Sequence, residues 1–470
     1  KEGCSGAPPC EEDNMGKKKN LIYVFADQWR YHAMGCSGED HVNTPAMDEF
    51  ARDSVFCNSA LSTYPLCSPH RAALLTGKNP LSLGMWTNCK IGLNENVMLY
   101  PQEVAISDVL HEEGYLTGYV GKWHLDASEM NFFPSPESGA VEWDAYTPPG
   151  ERRHNFDYWY SYGAMNRHMH PHYWHDSSRM ININQWSAEH DTDVFIKYLE
   201  SVKGEDRPVL AFLSWNPPHP PYTDIDDRRK ALYTEDYAFR PNVPEEWRCD
   251  RDYLEKRHDY FAAVAGLDEQ FARLVTYLKD SGMYDNSIIV LSGDHGDMMG
   301  SQGLYGKNVW YEESLRIPLV IHDPDLGSGC SSSIIMSEDQ MPTLLDLMGV
   351  KIPSTVNGIS HASSLLSQQN GREYSYHMMI PGMPEQVMPY RERGLDNRCF
   401  GWRCIRTGSQ KYVIDSGTVP GFEVKRYLYD LEKDPYEMNP LELSSSDEQA
   451  QRFDSLIKEN KSIHNDIFLI

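Results

Sequence analysis

Five short apolar runs constrain this chain most: NLIYVFAD (20–27), YLTGYVGKW (115–123), PVLAFLSW (208–215), NSIIVLSGD (286–294) and RIPLVIHD (316–323). A strand with one wet face alternates apolar and polar residues, whereas a continuous apolar run suits a strand covered on both faces. Between these runs lie stretches of helical spacing, such as DYFAAVAGLDEQFARLVTYLKDSG (259–282), which ends at Gly282; a glycine is the usual residue just past a helix end. Strand–helix alternation of this kind predicts an α/β fold, a large and mainly parallel sheet sandwiched by helices. Ligands of such sheets bind at the carboxyl ends of the strands. Polar residues collect there: Asp27, Lys122, Trp215 to His219, and Asp294-His295 directly follow apolar runs.

The pattern changes after about residue 370. GWRCIRTGSQKYVIDSG (401–417) reads as a hairpin, RYLYDLEKDPYEMNPL (426–441) as a further strand and loop, and residues 444–467 as a closing amphipathic helix. The predicted organisation is a flexible arm over 1–19, a catalytic α/β domain over 20–370 and a smaller C-terminal α+β subdomain over 371–470. No window approaches the ~18 consecutive apolar residues of a membrane span. With 43 basic against 69 acidic residues and a net charge of −26, nucleic acid is an unfavourable partner. A small anion is not, because a local cationic pocket overrides the global sign at short range.

Ten cysteines are many for a cytosolic enzyme and favour an exported, periplasmic or secreted protein. The chain starts at Lys1 without a charged-then-apolar leader, so any signal peptide is expected to be absent from it already. Cys4/Cys10 and Cys399/Cys404 are near enough in sequence to be bridged, although spacing does not settle connectivity.

The chemistry gathers at the strand ends. Asp27, Asp294 and His295, with Gln28 as a fourth group, offer oxygens and an imidazole suited to calcium or magnesium, the histidine widening the choice toward manganese. Arg71, Lys122 and Lys307 each sit just past a strand end. With a divalent metal they form a positive pocket in an acidic chain, and a tetrahedral oxyanion would satisfy several of their donors at once. His124 and His219 supply imidazoles able to move protons near neutral pH. Each group alone has an ordinary reading, as a turn, a cap or a solvated lysine; their common placement does not.

These residues carry a resemblance. LCSPHRAALLTG (66–77) contains the Cys-x-Pro-x-Arg signature and resembles the type I sulfatases of the alkaline phosphatase superfamily. FADQWR, GYVGKWHL, PPHPPY, SGDHGDMMGSQGLYGKNVWYEE and LYDLEKDPYEMNPL match in the same order over nearly the whole chain. The resemblance implies that Cys67 is oxidised to formylglycine (3-oxoalanine) by a maturation enzyme. One oxygen of its hydrate, held by the metal and Arg71, would attack sulfur. The sulfated hemiacetal would then collapse to release sulfate. It implies a metal, calcium first and magnesium or manganese as alternatives, held by Asp27, Gln28, Asp294, His295 and the oxygen at position 67. Lys122 and Lys307 would grip the sulfate, His124 would orient or deprotonate the hydrate, and His219, with Lys307, would protonate the departing alcohol. Gln28 and His295 depart from the commoner family pattern of aspartate and asparagine. A phosphonate monoester or phosphodiester hydrolase of the same superfamily shares the Cys67 signature and an Asp-Gln, Asp-His metal set, but Lys122-Trp123-His124 argues against it. A degenerate sulfated-glycan-binding protein would be expected to have lost at least one of Cys67, Arg71, the lysines or the histidines.

HNFDYWYSYGAMNRHMHPHYWHD (154–176) is dense in aromatic and histidine residues. Exposed aromatic faces suit sugar rings, so the expected substrate is a sulfated carbohydrate. His168, His170 and His172 are candidate contacts, and Arg391 and Arg393 would reach over the pocket from the C-terminal subdomain.

Overall fold

The computed structural model describes residues 18–89, 96–126, 144, 146–233, 238–366 and 371–470. Most of the 1–19 arm, with Cys4 and Cys10, lies outside them. The main sheet has eight strands: β1 (Asn20–Asp27), β2 (Val55–Cys57), β3 (Leu116–Lys122), β4 (Tyr158–Tyr162), β5 (Val209–Pro218), β6 (Ser287–Gly293), β7 (Leu319–His322) and β8 (Gly329–Ser331). Their order across the sheet is β8-β2-β7-β6-β1-β5-β3-β4. From β6 to β4 every neighbouring pair is parallel, so the carboxyl ends of β6, β1, β5 and β3 share one edge. Strand β7 runs the other way, antiparallel to β6 and β2. The predicted fold class, a large mainly parallel sheet with helices and a smaller C-terminal α+β unit, is the one observed.

All eight residues of β1 and all seven of β6 are buried, because one hydrophobic cluster packs on each face of the sheet. Phe261, Leu267 and Phe271 of the helix Arg251–Asp280 cover one side, and Leu74, Leu75 and Leu344 cover the other. The long helix begins at an Asp250 cap, whose side chain accepts from the Tyr253 amide, and Gly282 beyond its end has φ 71°. Gly121 in β3 has a stricter role. Its φ is +100° and a Cβ there would lie 2.1 Å from the Ser214 carbonyl oxygen, so any side chain would push β3 off β5.

A five-stranded antiparallel sheet, Tyr374–Met379, Trp402–Thr407, Gln410–Asp415, Lys425–Asp430 and Leu441–Glu442, follows in chain order, closed by the helix Glu448–His464. Its core is continuous with Leu61, Tyr64, Leu66 and Leu315 of the larger unit. The sheet also braces the loop that carries Lys307. Trp402 Nε1 donates to the Asn308 carbonyl (2.9 Å), Lys411 Nζ to the Trp310 carbonyl (2.7 Å), and the Glu312 amide to Glu437 (2.7 Å).

No disulfide joins any two of the eight cysteines among the described residues. The Cys399/Cys404 bridge considered from spacing is therefore absent: Cys404 lies in a central strand of the C-terminal sheet and is fully buried, while Cys399 lies before that strand and is half-buried. No helix among the described residues is long and apolar enough to cross a membrane.

Candidate active site

The helix Cys67–Thr76 runs away from the carboxyl edge of the sheet with all ten of its residues buried, and it ends at Gly77 with φ 64°. Cys67 is its first residue. Its Sγ lies 3.3 Å from His295 Nε2, 3.7 Å from Asp27 Oδ1 and 3.1 Å from Lys307 Nζ. One helical turn on, Arg71 reaches back beneath the same point. Its Nη2 donates to Asp27 Oδ2 (3.0 Å), its Nε to Asp294 Oδ2 (3.2 Å), and its Nη1 to the Lys122 carbonyl (2.7 Å) and Ser214 Oγ (2.8 Å). This is the structural reason for a Cys-x-x-x-Arg spacing: four residues along a helix place both side chains over one turn.

The site residues converge from separate strand ends. Asp27 ends β1, Lys122 ends β3, His219 follows β5, and Asp294-His295 follow β6. Lys122 Nζ lies 2.8 Å from Asp27 Oδ2 and donates to Asn216 Oδ1 at 3.3 Å. Lys307 Nζ donates to Gln28 Oε1 at 2.8 Å. Gln28 and His124 hold left-handed backbone conformations, φ 63° and 55°, a region that non-glycine residues adopt uncommonly.

The charges are tuned against one another. Burial pushes the Asp27 carboxyl up, but Lys122, His219, Lys307 and Arg71 outweigh it and hold Asp27 well below the usual carboxylate range. Burial and the neighbouring Asp27 charge push Asp294 up to about 6, partly offset by His295 and Arg71. Burial takes His295 down to about 4 and His124 down to about 4. Burial raises the Cys67 thiol, but Lys307, Lys122 and a hydrogen bond with His124 bring it down to about 6. Burial, Lys122 and Lys307 hold His219 well below its ordinary value.

His295 Nδ1 faces the Gly296 carbonyl at 3.1 Å. A carbonyl only accepts, so Nδ1 carries the proton and the Nε2 lone pair points at the carboxylates. The ligand atoms of Asp27, Cys67, Asp294 and His295 all lie within 4.8 Å of one another. Two carboxylates and an imidazole lone pair aimed at one point fit a divalent cation, and Gln28 Oε1 presents an amide oxygen beside them. By the same logic His219 Nδ1, 2.8 Å from the Pro220 carbonyl, holds a proton, and its Nε2 lies 4.0 Å from Asp27.

The residues expected to touch substrate are divided. His168 is buried and its Nε2 donates to the His219 carbonyl at 2.6 Å, so it supports the His219 loop. His172 is buried and paired with Asp144 at 2.8 Å; that pairing takes its ring away from any ligand. His170 is exposed. Arg393 donates to the Pro420 carbonyl within the C-terminal unit, and the Nε of Arg391 is buried without a partner. Sequence reasoning passed over Asn216, whose oxygen faces Lys122 while its nitrogen donates to the Met165 carbonyl, and Asn88, which accepts from the Ser68 amide. Asn216 lies near the carboxyl end of β5, between Trp215 and His219, where its position marks it; nothing local marks Asn88.

An oxyanion cradle of lysines and arginine beside a cation site is the equipment of an enzyme that cleaves anionic esters. Comparison with known proteins agrees. Residues 19–350 match the family described as Sulfatase, and residues 300–463 match N-sulphoglucosamine sulphohydrolase, C-terminal. An endo-4-O-sulfatase of Bacteroides thetaiotaomicron is 31% identical over 96% of this chain and 93% of its own. An ulvan-active sulfatase of Formosa agariphila is 30% identical over 92% of this chain and 78% of its own. A structure solved in work on the metabolism of multiple glycosaminoglycans by Bacteroides thetaiotaomicron aligns with a TM-score of 0.83 at 30% identity, covering 96% of this chain and 99% of that one. The chain belongs to the sulfatase family, enzymes that hydrolyse sulfate esters.

Proposed function

We propose that this sulfatase acts on a sulfated carbohydrate through Cys67 in its formylglycine form, with calcium held by Asp27, Gln28, Asp294 and His295. The observation that carries this reading is the placement of Cys67: at a helix start, inside a ring of carboxylates and an imidazole, with Lys307 3.1 Å from its sulfur. Sγ stands where an oxygen of the aldehyde hydrate would lie. The bound cation would neutralise the carboxylates and acidify that oxygen.

The remaining roles fall to the chain's own side chains. Lys122 and Lys307 flank the point above residue 67 and would hold the sulfate oxygens. Arg71 pairs with Asp27 and Asp294 from below and balances part of their charge. His124, hydrogen-bonded to Cys67 and neutral at pH 7, would accept a proton from the hydroxyl on residue 67. His219 must be an imidazolium to protonate the departing alcohol, because its free nitrogen is Nε2. Burial first, and then Lys122 and Lys307, oppose that charge in the free protein; a sulfate monoester bound between the lysines would offset their share of that opposition and favour the charged form.

A carbohydrate is favoured by the sulfatases of the two relatives, one named for an endo-4-O activity and one for ulvan. Exposed His170 is the remaining candidate contact from the aromatic segment, with Arg391 and Arg393 as contacts only if a long substrate reaches the C-terminal unit. A polyanionic glycan does not cross membranes unaided, so a periplasmic or secreted site of action follows, with a formylglycine-generating enzyme as the maturation partner. The test is sulfate release from a panel of sulfated mono- and oligosaccharides, with an aryl phosphonate and a phosphodiester alongside. Turnover of one sugar sulfate, lost in Cys67→Ala, is expected. Preferential cleavage of the phosphonate or diester would overturn the assignment.

A further inference from the structure

We propose that Asp297 is a positioning residue that fixes which end of the Gln28 amide faces the metal site. The inference rests on the reading of Gln28, Asp27, Asp294 and His295 as metal ligands.

An amide has a donor end and an acceptor end of nearly equal size, so its neighbours decide its orientation. Gln28 has little other freedom. Its backbone N–H donates to Asp294 Oδ1 (2.9 Å), its carbonyl accepts from Tyr260 OH (3.0 Å), and its φ is 63°. What remains is a rotation that exchanges Oε1 and Nε2. Asp297 lies on one side of that amide, fully buried. Its Oδ2 accepts from Gln28 Nε2 and from Tyr222 OH at 2.6 Å; its Oδ1 accepts from the amides of Met299 (2.7 Å) and Gly306 (3.1 Å). A carboxylate offers no donor, so Nε2 must face it. Oε1 is thereby left facing Lys307, which donates to it at 2.8 Å, on the side where Asp27 and Asp294 lie. Exchanged, the amide would point N–H groups at an ammonium and at a cation. The same carboxylate ties down Gly306, the residue before Lys307, so one side chain sets both an acceptor and a cation of the site.

Asp297→Asn isolates the orientation from the bracing. The retained oxygen still receives both backbone amides, while the new amide nitrogen opposes Gln28 Nε2, a conflict that rotation of Gln28 relieves. The measurement is calorimetric titration of calcium into chelator-stripped full-length protein, with melting curves to confirm folding. Loss of a residue that orients a ligand weakens metal binding about 10–100-fold, and that loss is expected for D297N. D297S, which removes Oδ2 together with the Oδ1 brace of Met299 and Gly306, should lose at least as much. In the Gln28→Glu background, where the side chain has no donor end, D297N should cause no weakening. Folded D297N or D297S binding calcium within about twofold of wild type, or an equal loss in the Q28E background, overturns the proposal. Asp294→Ala controls the underlying reading: retained calcium binding there refutes the ligand set itself, whereas loss there with unchanged D297N refutes only the role of Asp297.

Discussion

Arg71→Met would test the electrostatic logic of the site in isolation from turnover. The guanidinium is 1% exposed and lies 3.0 Å from Asp27 and 3.1 Å from Asp294. Asp27 keeps a second cation, Lys122, at 2.8 Å. Asp294 has no second ion pair at contact distance: His295 is held down to about 4 and is neutral at pH 7.5, and the Lys307 charge acts on Asp294 only from farther off. Methionine fills much of the same volume and leaves a buried carboxylate without a contacting cation, a loss of up to about 3–5 kcal/mol. An unfolding entropy of roughly 2.1 cal/mol/K per residue over 470 residues makes ~1 kcal/mol correspond to about 1 °C, so the calcium-free variant should melt up to about 3–5 °C below wild type. Calcium at 100 times its dissociation constant stabilises wild type by about 2.7 kcal/mol, or about 3 °C. It should stabilise R71M more, since the cation takes over the work of the missing guanidinium. Scanning calorimetry with chelator and with calcium reads both. A calcium-free loss under ~1 °C, or a calcium shift smaller in R71M than in wild type, would refute the reasoning.

His219→Ala should lower kcat by about 10²–10⁴ on a sugar sulfate and far less on an aryl sulfate, whose alcohol leaves without a proton; equal losses on both would remove His219 as the acid. Lys122→Ala removes a charge-assisted contact to the anion, and affinity for product sulfate should fall on the order of 10–100-fold by calorimetry; unchanged sulfate affinity would place Lys122 outside the cradle. Asp268 accepts from the amides of Met47 (2.8 Å) and Ala46 (3.2 Å), and burial pushes its carboxyl up to about 6 despite them. Its folded pKa is above its unfolded one, so its stabilisation is complete at low pH and is lost as pH rises through about 6. Asp268→Asn does not titrate, and its melting temperature relative to wild type should rise between pH 5 and 7.5; a constant difference would contradict the shift.

The strands that build the site were readable because burial on both faces leaves continuous apolar runs, and because the polar residues after β1, β3, β5 and β6 share one edge once those strands are parallel. Periodicity carries no direction, so nothing in RIPLVIHD announced that β7 runs antiparallel. The aromatic segment misled for a related reason. Tyr158–Tyr162 alternates weakly and reads as a sugar platform, but it is the edge strand β4, with Trp159, Tyr160 and Tyr162 buried. His172 was spent on Asp144, a partner 28 residues away that no local pattern reveals. Asp297 sits two residues beyond His295 in GDHGD, where its carboxylate reads as one more turn residue; its meaning lies in contacts to Gln28, Tyr222 and Gly306, from three separated segments.

The most direct test of the whole account is to measure sulfate release from a sulfated oligosaccharide against the fraction of chains carrying an aldehyde at position 67, varied by co-expression of a formylglycine-generating enzyme and read by peptide mass. Hydrolysis by the formylglycine at position 67 requires a rate proportional to that fraction, extrapolating to zero with no aldehyde and absent in Cys67→Ala. A rate independent of the aldehyde, or retained in Cys67→Ala, would rule out that residue as the nucleophile.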